Sequence, residues 1–232
     1  MKKIIAASLI SLGLASSAFA ATTPAKTTIP SLSPLDGFYI GGGAGYQSTD
    51  ASVKNNYDGS HSSADIDGGL LDLNLGYGKA LSKSFYLGGG LRYDYYGNVD
   101  SSKSFSNTDV GLNQQQTNKV QLNDALFATI MPGVLVTPKT LLYANLGIGI
   151  VNMEGSVKYS TTIPGTFQAN NEDETKDVVS GIAGIGVRQA FSQHISMSAE
   201  VDHVAPNSGD LPPGVSDFDY NEGLVNFIYT FK

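Results

Sequence analysis

Apolar and polar residues alternate along this chain with a period of two, and the pattern recurs in eight stretches between residues 37 and 232. Such alternation is typical of a β-strand with one apolar face, because successive side chains of a strand point to opposite sides. The many glycines within these stretches would weaken a helix. The seven clearest stretches are GFYIGGGAGYQ (37–47), LDLNLGYG (71–78), FYLGGGLRYDYYG (85–97), LLYANLGIGI (141–150), VVSGIAGIGVRQ (178–189), ISMSAEVDH (195–203) and LVNFIYTFK (224–232).

The remaining stretch, QLNDALFATIMPG (121–133), alternates less regularly. We assign Leu122, Leu126, Ala128 and Ile130 to its apolar face, which places Asp124 on that face as well. The last stretch is the most regular. Its apolar face carries Val225, Phe227, Tyr229 and Phe231, and its other face carries Asn226 and Thr230.

Short and long connections alternate between the predicted strands. The short ones are KALSKS (79–84), LVTPKT (135–140) and AFSQH (190–194), and the long polar ones cover about 48–66, 97–119, 152–177 and 204–220. Short turns at one end and long loops at the other are typical of an outer-membrane barrel. A bilayer also requires closure, because lipid cannot satisfy an open sheet edge. The sequence therefore predicts an all-β fold, an eight-stranded antiparallel transmembrane up-and-down β-barrel over residues 37–232.

Charged residues lie on the predicted strand face opposite the aliphatic one. They cannot face lipid, where a basic side chain at the midplane costs roughly 2–4 kcal/mol. Side chains fill the interior of an eight-stranded barrel, so we predict a structural ion-pair network in the lumen. Its members are Asp72, Arg92, Asp94, Arg188, Glu200 and Asp202.

Aromatic residues mark both ends of the aliphatic face, as expected for two interfacial girdles. Near the short turns these are Tyr77, Phe85 and Phe191, and near the long loops Tyr46, Tyr93 and Tyr95. The soluble alternative is a secreted β-sandwich. It would have to bury the charged faces or expose the aliphatic ones, so the barrel is favoured.

The N-terminus has the features of a secretory signal peptide. Lys2 and Lys3 precede an apolar run too short to span a bilayer, and Ala18-Phe19-Ala20 is a cleavage motif, which disfavours a membrane anchor. We predict cleavage after Ala20 and a flexible periplasmic leader over 21–36, which is rich in Thr, Pro and Ser. The chain has no cysteine and hence no disulfide. Its formal net charge of −7 argues against nucleic acid as a partner.

Four segments together resemble the OmpA-type and opacity-type family of eight-stranded outer-membrane proteins. They are the first predicted strand GFYIGGGAGY (37–46), the stretch GGGLRYDYYG (88–97), the region 181–203 and the aromatic last strand. The resemblance implies a Gram-negative outer-membrane protein that acts in membrane integrity, adhesion or antigen display through its loops. It also implies that Phe227, Tyr229 and Phe231 form the signal read by the barrel-assembly machinery. The partners expected are outer-membrane lipids and lipopolysaccharide, that machinery, and host-surface molecules, with the barrel itself a monomer.

Two other functions stay open. A narrow porin-like channel is one, because the inward glycines leave room for water. The other is a lipid A-modifying enzyme, because some proteins of similar build use a His-x-Ser pair with a carboxylate, and His194, Ser196 and Glu200 have that spacing. His194 lies in a short periplasmic turn, away from the outer leaflet, so we predict no enzyme and no catalytic residue.

We also predict no cofactor and no metal. The stretch DFDYNEG (217–223) places Asp217, Asp219 and Asn221 on one strand face, and oxygen side chains of this kind suit calcium. Glu222, however, stands where an EF-hand-like loop needs glycine. Solvated loop charge is therefore the interpretation we favour for these residues.

Overall fold

Eight antiparallel strands pair in chain order, and β8 pairs with β1 to close the ring. The computed structural model describes residues 33–54, 61–109, 112–163, 166–213 and 215–232. The predicted signal peptide and residues 21–32 of the predicted leader lie outside these ranges. The strands are β1 (Gly37–Lys54), β2 (His61–Ala80), β3 (Phe85–Asp109), β4 (Leu112–Thr137), β5 (Thr140–Ile163), β6 (Thr166–Ala190), β7 (Ile195–Pro206) and β8 (Val215–Thr230). The predicted fold class is confirmed.

The predicted faces are the observed ones over most of the ring. On β8, Phe227 is 62% exposed on the outside, whereas Asn226 and Thr230 are buried inside. The exposed large apolar side chains form an outer band, and the residues assigned to the two aromatic girdles all belong to it. Within the described ranges, no helix is long and apolar enough to cross a membrane.

The start of β4 differs from the prediction. Leu122 points into the barrel and is fully buried, although the alternation placed it on the outer face with Leu126. The pairing with β5 shifts between Leu122 and Asp124, so Asn123 is an extra residue in the wall. One extra residue exchanges the inner and outer faces of everything beyond it. Asp124 therefore stays on the outer face, where it lies opposite Tyr95 of β3.

Three of the four predicted long loops are mostly strand. Pairing of β1 with β2 continues to Lys54 opposite His61, and pairing of β3 with β4 continues to Asp109 opposite Leu112. Pairing of β5 with β6 continues to Ile163 opposite Thr166. Polar composition suggested loops, but a strand beyond the apolar band has no lipid to face and can be polar on its outside. The connection after β7 is different, with a short 3-10 helix (Ser208–Asp210) before β8.

Beyond the apolar band the ring separates into two sheets. Pairing between β2 and β3 stops at Leu71 and Tyr95, and pairing between β6 and β7 stops at Ser180 and Pro206. One sheet then consists of β8, β1 and β2, and the other of β3, β4, β5 and β6. Inward side chains of both sheets meet in one apolar group, which we call the upper cluster. It comprises Ala51, Val53, Ile66, Leu70, Tyr96, Val120, Leu122, Ala125, Phe127, Val151, Met153, Val178, Ile182, Val204, Phe218, Tyr220 and Leu224.

The segment Ser33–Asp36 closes the opposite end of the barrel. Leu35 is fully buried in a second apolar group, the lower cluster, with Tyr86, Leu135, Leu141, Tyr143 and Ala190. The Tyr86 hydroxyl donates to the Leu35 carbonyl (3.1 Å), and the backbone N–H of Ala80 donates to Asp36 (2.8 Å). The last four residues of the predicted flexible leader are thus packed into the barrel.

The C-terminus holds this segment in place. The Lys232 amine donates to the carbonyls of Ser33 (2.9 Å) and Asp36 (2.8 Å). Partial burial lowers the pKa of the Lys232 amine, and the nearby Asp36 opposes that shift. The two ends of the described chain therefore meet at the short-turn end of the barrel.

Candidate functional site in the lumen

A single guanidinium occupies the centre of the lumen. Arg92 projects inward from β3 and forms ion pairs with five carboxylates. Its Nε lies 2.9 Å from Asp94 and 3.5 Å from Asp72, and its Nη1 lies 2.6 Å from Asp202 and 3.1 Å from Glu200. Its Nη2 donates to Glu222. All six side chains are buried.

The strand register explains why these groups converge. Asp72 and Asp94 are directly opposite on β2 and β3, and Asp202 and Glu222 are directly opposite on β7 and β8. Each pair places two carboxylates side by side on the inner face, where like charges repel. Arg92 reaches across the lumen and touches both pairs. It therefore offsets repulsion within each pair and ties two opposite parts of the wall together.

Neutral donors also hydrogen-bond four of the five carboxylates. The Tyr143 hydroxyl donates to Glu200 (2.7 Å), and the Asn145 amide donates to both Glu200 (3.1 Å) and Asp202 (3.2 Å). Asn74 donates to Asp72 (2.6 Å), and the Tyr96 hydroxyl donates to Glu222. Buried charges persist when hydrogen bonds satisfy them. Arg92, the five carboxylates and these donors together form what we call the arginine centre.

Arg188 lies apart from the arginine centre. Its Nε donates to Ser196 (2.9 Å), its Nη2 donates to Thr230 (2.9 Å), and its guanidinium lies 4.9 Å from the ring centroid of Tyr39. No ion pair among the described residues involves it. Of the six residues assigned to the lumen network, the structure thus brings together five, and Arg188 belongs to a separate group of hydroxyls and rings nearer the short turns.

Glu222 is the charged residue of the arginine centre that the sequence did not predict. We considered it as a position of a calcium loop, but it lies on β8 with its side chain buried at the arginine centre. The signal was present in the alternation itself, because two steps of two residues back from the inward Asn226 lead to Glu222. Asp217, Asp219 and Asn221 do share one face, and it is the exposed one.

A cavity of ≈ 40 Å³ lies between the arginine centre and Arg188. Asn145 and Asn226 line it, and each has a buried amide oxygen that no donor among the described residues reaches. A water needs about 10–15 Å³ of such volume, so the cavity is large enough for about three waters. Apolar clusters lie beyond it at both ends of the lumen.

Neighbouring side chains occupy the space beside the inward glycines, which leaves less room for water than the sequence suggested. A Cβ at Gly184 would overlap Asp202 of the arginine centre, and one at Gly186 would lie 2.5 Å from the Tyr143 ring. A Cβ at Gly76 would lie 2.5 Å from the Tyr39 hydroxyl. Large side chains and glycines on adjacent strands therefore interlock across the inner wall.

We expect Gly184→Ala to destabilise the barrel, because the new methyl group would overlap the Val201 carbonyl and the Asp202 oxygen that accepts from Asn145. Overpacking of this kind costs about 1–3 kcal/mol. Gly181→Ala is the matched control on the same strand, since a Cβ there meets nothing within 4 Å. Urea unfolding of both variants refolded into lipid vesicles measures the difference. Equal stability of the two variants would contradict the interlocked wall.

The sequence matches the family model described as outer membrane protein beta-barrel domain over residues 6–231. This match covers nearly the whole chain and coincides with the closed ring of eight strands. The chain belongs to the outer-membrane β-barrel family. No curated protein sequence matches it.

Several solved structures are similar to this outer-membrane β-barrel. Ail, the attachment invasion locus protein of Yersinia pestis, is 14% identical with a TM-score of 0.37, covering 84% of this chain and 99% of that chain. Neisserial surface protein A is 10% identical with a TM-score of 0.41, covering 84% and 98%. The N-terminal β-barrel domain of Pseudomonas aeruginosa OprF is 13% identical with a TM-score of 0.36, covering 83% and 98%. These values are low, so membership rests on the family match.

Family membership orients the barrel. Short turns of outer-membrane barrels lie in the periplasm and long connections outside the cell. The lower cluster and the Ser33–Asp36 segment therefore lie at the periplasmic end. The upper cluster and the two separate sheets lie at the extracellular end.

The outer-membrane β-barrel does not assemble the His-x-Ser group considered from the sequence. His194 hydrogen-bonds the Thr230 carbonyl (3.0 Å) and stacks on Tyr229, Ser196 accepts from Arg188, and Glu200 belongs to the arginine centre. Within the described ranges, no group of three or more His, Cys, Asp or Glu residues could hold a metal ion.

Proposed function

We propose that this outer-membrane β-barrel is a surface structural and interaction protein whose lumen is closed. The observation that carries the proposal is the filled interior. The arginine centre lies between two apolar clusters, and the cavity beside it has a volume of only ≈ 40 Å³. A conducting pore needs a continuous wet path. The long hairpins, rather than the lumen, then meet the surroundings of the cell.

The hairpins suit this role because they are extended strands held by pairing. The β5–β6 hairpin continues in register far beyond the apolar band, and the β3–β4 hairpin stays paired there after a register shift between Tyr95 and Val99. Such rigid scaffolds lose less conformational entropy on binding than free loops do. We propose adhesion or antigen display as their function, with host-surface molecules as partners. The barrel itself would sit as a monomer among outer-membrane lipids and lipopolysaccharide after insertion by the barrel-assembly machinery.

The proposal assigns no catalytic role to the chain. His194, Ser196 and Glu200 have separate partners, as described above. Mass spectrometry of lipid A from cells with and without the gene tests this part. An altered lipid A spectrum would favour the enzyme instead.

The main test compares conductance with adhesion. We expect no current steps above the lipid background when the purified, refolded barrel is added to a planar bilayer. We also expect weaker attachment of cells whose hairpins have been shortened. Removing residues 158–171 and joining the directly opposed Val157 and Glu172 through an Asn-Gly turn keeps the register of β5 and β6. Discrete current steps, or unchanged attachment after shortening each hairpin in turn, would refute the proposal.

A further inference from the structure

Residues 168–177 of β6 form a strand edge with a neighbour on one side only. They pair with β5 along their whole length, from Gln168 opposite Thr161 to Asp177 opposite Asn152. On the other side, β7 begins its pairing with β6 at Ser180. Among the described residues, no strand therefore pairs with the second edge of 168–177. We call this stretch the β6 edge.

The β6 edge differs from the other strands that lose a neighbour beyond the apolar band. On β2 and β8 the inner face is covered, as the burial of Ile66 and Phe218 shows. On β3, Val99 and Phe105 pack against the upper cluster. Residues 168–175 of β6, by contrast, are exposed on both faces. An added strand could therefore lie beside them without displacing any packed side chain.

The charge of the β6 edge is acidic. Glu172 and Glu174 share one face, Asp173 and Asp177 share the other, and Lys176 pairs with Glu174 at 3.6 Å. Each face thus carries carboxylates at alternate positions. A strand with basic side chains on both faces would place opposite charges directly across from them, which stabilises a strand pair. A second copy of this edge would instead bring like charges together.

We propose that the β6 edge accepts an extended basic segment of a partner protein as an added β-strand. The added strand hydrogen-bonds the free backbone groups of the edge, and its lysines or arginines face the carboxylates. This inference rests on the proposed role as an interaction protein and names the surface and the class of partner. Acidic side chains also keep an exposed edge from pairing with itself, which leaves the edge available to a basic strand.

The test uses the wild-type barrel in phospholipid nanodiscs and a short fluorescein-labelled peptide in which pairs of lysines alternate with pairs of threonines, so that both faces of the added strand carry lysine. The control peptide has the same sequence with N-methyl groups on successive backbone nitrogens, which keeps the charge but removes the hydrogen-bond donors from both edges of the strand. We expect fluorescence anisotropy to show about tenfold weaker binding for the methylated peptide, because strand addition depends on main-chain hydrogen bonds. Equal binding of both peptides, or no binding of either, would overturn the inference.

Two charge-reversal variants locate the site. Glu172→Lys combined with Glu174→Lys should weaken binding of the unmethylated peptide about tenfold, since opposite charges across strands become like charges. Asp217→Lys combined with Asp219→Lys makes the same charge change on the outer face of β8 and should leave binding within about twofold. Equal loss in both variants would show that only net charge matters. A wild-type dimer abolished by shortening β6 would assign the edge to a second copy.

These outcomes are separate from those that test the proposed function. Weaker attachment after shortening another hairpin, together with no binding of the peptide, would leave the proposed function standing. In that case only the inference about the β6 edge falls. Conversely, current steps in a bilayer would refute the closed-lumen proposal whatever the peptide result.

Discussion

Replacing Arg92 with methionine should cause the largest loss of stability of any single substitution in the lumen. Arg92 is the cation that contacts all five carboxylates of the arginine centre. Removing one partner of a buried ion pair costs about 3–5 kcal/mol, because the remaining charge stays buried without compensation. Here five carboxylates lose the same partner, and the variant should fall at or above the upper end of that range. Urea unfolding in lipid vesicles measures the free energy of unfolding.

Lys119→Met is the control for loss of a positive charge. Lys119 pairs with Asp100 at 3.6 Å on the extracellular part of the barrel, and both side chains are largely exposed. An exposed pair contributes about 0–1 kcal/mol, so this variant should unfold close to the wild type. Arg92→Lys adds a second comparison, since a single ammonium cannot replace the fork of the guanidinium and should restore stability only in part. An Arg92→Met barrel as stable as the wild type would show that the centre does not hold the wall together.

Deleting Phe231 and Lys232 should greatly reduce the amount of barrel in the outer membrane. The reason is the predicted assembly signal formed by Phe227, Tyr229 and Phe231, whose side chains all project outward in the closed barrel. Phe231 lies beyond the end of β8, where its N–H donates to the Phe38 carbonyl (2.7 Å) and its ring packs on Tyr229. Heat-modifiable barrel in outer-membrane fractions measures assembly.

Two comparisons separate targeting from stability in this experiment. Lys232→Ala keeps the terminal aromatic residue but removes the amine that holds Ser33 and Asp36. It should assemble at nearly the wild-type level. The deletion variant should also refold in detergent without the assembly machinery, because the strand pairs between β8 and β1 remain. Normal outer-membrane levels of the deletion variant would contradict the assembly signal. Failure to refold in detergent would show that the residues matter for stability instead.

The alternation of residues was sufficient to predict strand number, closure and most inward positions. Leu122 and Glu222 are two inward positions that the alternation did not lead us to predict. Leu122 was assigned to the wrong face because a bulge at Asn123 changes the phase, and nothing in the local pattern marks that extra residue. Glu222 lay in a stretch whose polar composition resembled a loop. The residue composition of a strand depends on its surroundings. A strand outside the membrane has water on its outer face, so its outward residues are polar like those of a loop.

The sequence by itself determined the topology of this protein, because a period of two and alternating connection lengths leave few ways to satisfy backbone groups in lipid. It also determined which charges must point inward. Only the tertiary structure decided that Arg92 meets all five carboxylates and Arg188 none, because strand register and curvature set which inward side chains meet across the lumen. The tertiary structure also decided that pairing between β6 and β7 ends at Ser180 and Pro206. The β6 edge is therefore left without a second neighbouring strand among the described residues.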